Sequence, residues 1–264
     1  MQTVLAIANQ KGGTGKTTTA RELGALLAAG GMRVLLIDLD PQGSLTAACG
    51  LGDDDLSGRS MADVLGGAQP GRLSLADIIR PVAPGLDLAP ADIGLSITEL
   101  GLTARMGREA VLKRALANVP GYDLVILDCP PSLGLLTVCG LAAAHGVIVP
   151  TQPAAADLRG VALAVDTLGT IRAELNPGLV LVGVVVTFFD QRLNDHKRAL
   201  DYIAAAGLPV LGTVGRSVRV AEATGAGQPV TEYAPSNPQA AAYTQLTERV
   251  KEWLIKSNQA GLIP

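Results

Sequence analysis

Short aliphatic runs alternate with longer amphipathic stretches along almost the whole chain. The runs at 3–8, 33–37, 85–88, 124–127, 146–149, 179–186 and 209–211 predict strands. They are nearly continuous rather than alternating, the pattern of strands covered on both faces of a parallel sheet. The segment from 16 to about 29 predicts a helix with Ala20, Leu23 and Leu27 on one face and Gly30-Gly31 as its stop. Asn237-Pro238 reads as an N-cap followed by proline at the first helical position. It opens a helix to about residue 256 that carries Ala242, Leu246, Val250, Trp253 and Leu254 at helical spacing. Alternating strands and helices predict an α/β fold, a doubly wound and mostly parallel sheet with helices on both faces. A single domain over 1–264 is expected, with the polar segments 51–60 and 66–74 as exposed loops. Ligands of such a sheet bind at the carboxyl ends of its strands.

Composition narrows the functional classes. The chain has 264 residues, is 48% apolar, and carries a formal net charge of −3. It can bury a sizeable core, and any contact with nucleic acid must come from a local patch rather than from overall charge. Aromatics at 3% argue against stacking platforms for single-stranded bases. Cys49, Cys129 and Cys139 are odd in number and form no CxxC pair, which suits a reducing compartment. His145 and His196 lack ligand spacing, so no zinc site is expected. The longest apolar stretch, 179–189, is short of the roughly 20 residues that span a bilayer, and no basic leader precedes the first run. A soluble cytoplasmic protein is the expectation.

The candidate chemistry starts where the first strand runs into a helix, through "NQKGGTGKTTTA". The phosphate-loop pattern G-x-x-x-x-G-K-[ST] asks for glycine where this chain has Gln10, and an extra lysine, Lys11, precedes Lys16. Gly12, Gly13 and Gly15, with Thr14 between them, let backbone N–H groups turn inward around a polyphosphate at a helix N-terminus. Lys16 is placed for the β- and γ-phosphates, Thr17 for Mg²⁺ and Thr18 for the α-phosphate. Two aliphatic runs end in acids, "VLLIDLDPQGS" and "YDLVILDCPPS", setting Asp38, Asp40 and Asp128 at strand ends facing the loop. Such carboxylates hold the hydrated Mg²⁺ in phosphoryl transfer, although a single strand-ending aspartate is also a common cap. Lys11 is either an ordinary surface lysine or a cation offered to charge that develops elsewhere.

These blocks resemble the ParA family of chromosome and plasmid partition ATPases in its short Soj form. The likeness runs through "KGGTGKTTTA", its deviant Walker A motif, to "VLLIDLDPQGS", "YDLVILDCPPSLGLLT", "GVIVPTQP" and "VRVAEATGAGQPVTEYAPSNPQAAAY". The resemblance implies a deviant Walker A P-loop NTPase using ATP and Mg²⁺. It implies that Lys11 is the signature lysine, which crosses a nucleotide-sandwich homodimer to phosphates held by the other subunit. Lys16 is then the loop lysine, Thr17 a Mg²⁺ ligand, Asp40 the switch I residue at the attacking water and metal, and Asp128 the Walker B aspartate. It further implies an ATP-bound dimer on nonspecific double-stranded DNA, hence at the nucleoid. A ParB/Spo0J-type partner protein would stimulate hydrolysis and release the DNA. Two segments depart from the family pattern, "VGRS" in place of I-P-R-N and "AAADLRG" in place of E-Y-Y-A-L-E-G. No helix-turn-helix stretch precedes the loop.

For DNA, the candidates are Arg192, Arg216 and Arg219, with Lys197 and Arg198 as weaker additions. By spacing alone they are equally an ordinary solvated face. The alternative function is a membrane-associated positioning ATPase like MinD, with the last helix as anchor. That helix mixes Glu248 and Glu252 with Arg249 and Lys251, so a stripe packed on the domain's own core is the favoured reading. A third possibility is a metabolic amidase or ligase of the same superclass.

Overall fold

A computed structural model describes residues 2–56, 58–66, 73–119 and 121–263. Its strands are β1 (Thr3–Ile7), β2 (Val34–Asp38), β3 (Arg80–Ala83), β4 (Leu86–Ala89), β5 (Leu124–Asp128), β6 (Gly146–Thr151), β7 (Val180–Thr187) and β8 (Val210–Val214). Between β1 and β2 lies α1 (Lys16–Ala29), and between β2 and β3 lie four short helices, α2 (Ser44–Ala48), α3 (Asp53–Leu56), α4 (Met61–Leu65) and α5 (Leu75–Ile78). The chain continues through α6 (Gly94–Leu102), α7 (Val111–Leu116), α8 (Leu135–Ala143), α9 (Ala155–Glu174) and α10 (Asn194–Ala205). It closes with α11 (Val218–Gly225), α12 (Val230–Tyr233) and α13 (Pro238–Gln259). Among the described residues the strands form one sheet in the order β3-β4-β2-β5-β1-β6-β7-β8, parallel throughout except for β3 against β4.

The aliphatic runs become strands because the sheet is sandwiched. Along β1, Val4, Ala6 and Ala8 enter one core layer with residues of α4 to α9. Leu5 and Ile7 enter the opposite layer with α1 and α13. Alternate side chains thus serve opposite faces, and both faces must be apolar. The seven predicted strands are present with ends shifted by a few residues. The antiparallel edge strand β3 is additional. Its sequence RPVA carries a proline and alternates between half-buried and exposed positions, so it lacks the run that marks its neighbours.

Helix ends follow the capping signals. Asn237 accepts a hydrogen bond from the Gln239 N–H at 3.0 Å, and Pro238 is the first residue of α13. Leu246 and Val250 of that helix are buried in the core, with Ala242, Trp253 and Leu254 packed against it, so the stripe covers the domain itself. None of the helices among the described residues is long and apolar enough to cross a membrane. The segment 51–60 is not merely a loop. Residues 53–56 form a helical turn, and Leu56 and Ser60 are buried, because Ser60 caps α4 with reciprocal bonding to Asp63. The second predicted loop, 66–74, lies mostly outside the described residues, at 67–72.

The strands that matter for the site end level with one another. Ile7 and Asp38 are both paired with Asp128 across β1, β5 and β2. The ladder runs one rung further, with Leu39 N–H donating to the Asp128 carbonyl at 3.0 Å. Three loops therefore leave one edge of the sheet side by side.

Candidate nucleotide site

The loop between β1 and α1 is built around positive-φ glycines. Gly13 has φ 71° and Gly15 φ 82°, a conformation in which an L side chain is strained. A Cβ on Gly15 would also meet Thr187 Cγ2 at 3.3 Å. Gly15 caps α1 without a side-chain bond, leaving the first helical N–H groups free for an anion. Three neighbours fix the loop from outside. Asn9 donates from Nδ2 to the Pro150 carbonyl at 2.6 Å and accepts from the Lys11 N–H at 3.1 Å. Gln152 donates to the Gly13 carbonyl at 2.9 Å. The Thr187 hydroxyl lies 2.9 Å from the Thr14 carbonyl and 3.0 Å from the Thr151 carbonyl, sharing one proton between them. The strand tips of β6 and β7 thus hold the loop open.

The two lysines have opposite surroundings. Lys16 is 7% exposed and its Nζ donates to the Lys11 carbonyl at 3.2 Å. Burial lowers its pKa, while the Asp128 and Asp40 carboxylates and the Cys129 thiol oppose that shift. Lys11 sits on the outer lip with 47% of its side chain exposed. Its Nζ pairs at 2.8 Å with Asp157 Oδ2, on the first turn of α9, and that carboxylate is 1% exposed. Asp157 thus supplies a counter-ion that offsets repulsion between the two lysines. Reasoning from sequence passed over Asp157. It lies 146 positions from Lys11, and the one available signal was a lone acid in the first helical turn after a strand.

The three aspartates also divide. Asp38 is fully buried and saturated. Its Oδ2 accepts from the Thr46 N–H and hydroxyl, both at 2.9 Å, and its Oδ1 from the Asp40 N–H at 3.0 Å. It shapes the turn after β2 and leaves Asp40, half-buried, at the rim, where its Oδ1 accepts from the Gln42 N–H. Asp128 is 1% exposed, and among the described residues neither of its oxygens accepts a hydrogen bond of good geometry. Burial first, then the Asp38 charge, raises its pKa well above the ordinary carboxylate range, with the Thr17 hydroxyl and then Lys16 opposing. An open buried carboxylate beside a phosphate loop fits a hydrated divalent cation, and Thr17 at the start of α1 fits as its companion ligand.

Behind the loop, Glu22 accepts from the Val230 N–H at 2.7 Å and lies 3.8 Å from Arg21, tying α1 to α12. Burial pushes its carboxyl up to about 7, with the Val230 bond and Arg21 opposing. This pair was also missed, because an Arg-Glu step on a helix reads as solvated surface.

Of the candidate DNA-binding arginines, Arg192 sits on the loop after β7, Arg216 on the loop after β8, and Arg219 on the first turn of α11. These loops touch, since Phe189 N–H donates to the Val214 carbonyl at 3.0 Å. Arg192 is bidentate to Asp190, at 2.7 and 3.0 Å, and Arg219 pairs with Glu222 at 2.8 Å. Arg216 lies over the Phe188 ring, 5.8 Å from its centroid, and Phe188 is held at φ 52°.

The family described as an AAA domain matches residues 2–181. The chromosome-partitioning ATPase Soj of Thermus thermophilus is 44% identical over 249 residues, covering 93% of this chain and 94% of that protein. The chromosome partitioning protein ParA of Caulobacter vibrioides is 43% identical over 253 residues, covering 94% and 93%. A crystal structure from Mycobacterium smegmatis, described as cobyrinic acid a,c-diamide synthase with bound ADP and magnesium, superposes with TM-score 0.82 at 39% identity. It covers 100% of this chain and 98% of that one. A buried loop lysine, an open strand-end carboxylate and near full-length identity converge: the chain belongs to the Soj/ParA family of P-loop partitioning ATPases.

Proposed function

We propose that this protein is an ATP-dependent DNA partitioning ATPase whose ATP-bound form is a sandwich homodimer. The observation that carries the reading is Lys11, a half-exposed cation on the outer lip of a loop whose own phosphate cradle already contains Lys16. A cation in that place is suited to triphosphate presented by a second copy. Gly12 to Gly15, Lys16, Thr17 and Thr18 bind the nucleotide; Thr17, Asp40 and Asp128 hold the metal ion. A Mg²⁺ held there would supply neutralisation of the phosphate charge. In hydrolysis, Asp40 orients water for attack on the γ-phosphorus. The new P–O bond forms as the bond to the β-phosphate oxygen breaks, leaving ADP and phosphate, while Lys16 and the partner's lysine lower the cost of the developing charge. Arg192, Arg216 and Arg219, doubled in the dimer, contact DNA phosphates without reading sequence. A ParB-type partner accelerates turnover and releases the DNA, placing the protein in the cytoplasm and, with ATP, on the nucleoid.

Sedimentation with DNA or with anionic liposomes, each with and without Mg-ATP, tests the reading. Retention on nonspecific DNA that needs ATP and fades with salt is expected. ATP-dependent liposome binding without DNA binding would instead favour a membrane-positioning ATPase. Asp40→Ala is expected to keep nucleotide binding, slow turnover by about 10²-fold or more, and hold the dimer on DNA. Rapid hydrolysis by that variant would remove Asp40 from its role. The likeness to the structure described as a diamide synthase supports a second reading, an ATP-dependent amide-forming enzyme. Turnover that requires a small carboxylic acid and ammonia would decide for it.

A further inference from the structure

We propose that Asp157 is a positioning residue for Lys11, holding its ammonium on its own subunit, and that release of this pair governs assembly of the two-subunit ATP site. The inference rests on the cross-subunit reading of Lys11 above. The pair is asymmetric. Asp157 is fixed on the first turn of α9 with its carboxylate 1% exposed, whereas the Lys11 side chain is 47% exposed. The lysine is therefore the member that can leave. Its backbone is pinned from both sides, the N–H by Asn9 Oδ1 and the carbonyl by Lys16 Nζ, so departure needs only side-chain rotation.

What it leaves behind makes the contact a latch. Asp157 Oδ2 accepts from Lys11 at 2.8 Å, and Oδ1 has no hydrogen-bond partner among the described residues. Lys11 is thus the one side-chain donor to this buried anion among the described residues. In the latch, reaching a triphosphate across the dimer swings the Lys11 ammonium off Asp157. The cost of stranding the carboxylate opposes every docking that lacks a compensating polyphosphate. The loop glycines bind nucleotide whether or not the pair is closed. The latch therefore sets how readily loaded subunits join, and leaves nucleotide affinity of the monomer alone.

The experiment uses the full chain with Mg²⁺ and a non-hydrolysable ATP analogue. Sedimentation velocity reads the chain concentration at half-dimerisation, and a fluorescent nucleotide reads monomer affinity. Asp157→Asn is expected to dimerise at about tenfold lower concentration, equivalent to ~1.4 kcal/mol, with unchanged monomer affinity. Asp157→Glu, which keeps the charge, is expected to restore the parent's behaviour. Asp157→Ser gives the same readout as Asp157→Asn should that variant not fold. Dimerisation by the uncharged variants at the parent's concentration or above it would overturn the latch. A fall in thermal stability with no shift in dimerisation would make Asp157 merely structural and overturn it equally. Turnover of Lys11→Ala separates this from the reading beneath it. Parent-level turnover sinks the cross-subunit role and the latch together, while slow turnover with an unshifted Asp157→Asn sinks the latch alone.

Discussion

Glu22 illustrates how one buried charge becomes a property of the whole fold. Its carboxyl titrates near 4.5 when unfolded and is pushed up to about 7 in the folded chain, with burial as the largest cause. Between those values the native state holds more protons than the unfolded state. Stability therefore falls as pH rises from about 4.5 to 7 and levels off above it. The loss is bounded at about 3 kcal/mol. Glu22→Gln keeps an acceptor for the Val230 N–H and removes the titration. Urea unfolding at pH 5 and pH 8 is expected to show a flattened profile, with the variant more stable than its parent at pH 8. Lower stability there would mean that the neighbouring Arg21 needs the charge more than the fold resents it. Asp38 and Asp128 show the same principle divided between two residues. The first spends its lone pairs on Thr46 and the turn after β2, and the second holds its own toward Thr17 and the phosphate loop. Strand-end position sets Asp38, Asp40 and Asp128 level with one another and does not tell a saturated carboxylate from an open one; the family resemblance singled out Asp40 and Asp128.

At the level of elements, the nucleotide loop is a product of strands distant from it in sequence. Thr187, the last residue of β7, brings its hydroxyl to the Thr14 carbonyl, and Thr14 is fully buried. Thr187→Val keeps the shape and deletes the donor, stranding a buried carbonyl at a cost of about 1–3 kcal/mol. Chemical denaturation is expected to register that loss, and nucleotide titration a drop in ATP affinity of about tenfold as the loop loosens. Unchanged affinity would show that Asn9 and Gln152 suffice to hold it. The elements themselves were largely readable. Long apolar runs forecast β1, β2 and β4 to β8, and caps forecast α1 and α13, because burial on both faces and helix ends each leave a local mark. β3 left none, being a short edge strand with a proline. The α9 carboxylate that meets Lys11 left only its place in a first helical turn, because a contact across 146 positions has no local signature.

On the scale of the molecule, a net charge of −3 sits beside arginines proposed to bind DNA. Arg192 and Arg219 are already engaged, by Asp190 and Glu222, so DNA phosphates must replace carboxylates rather than meet free cations. Glu222→Gln is expected to tighten ATP-dependent DNA retention and steepen its salt dependence by about one unit per subunit. A filter-binding series over salt concentration checks both, and an unaltered slope would place Arg219 off the DNA. Family membership was legible from the motifs alone, since phosphate loops fix both spacing and residue type. The mutual arrangement of arginines and acids was not, as exposed ion pairs form by proximity in three dimensions. The sheet order also carries a consequence for synthesis. β1 is made before the other strands of the sheet, yet it is flanked by β5 and β6, and its loop rests on a hydroxyl 173 residues downstream. At ribosomal speeds of about 5–20 residues per second, roughly 10–30 s separate the loop's emergence from that of its last support. The nascent chain thus carries its nucleotide motif long before it can use it, and acquires a finished site only once β7 has followed.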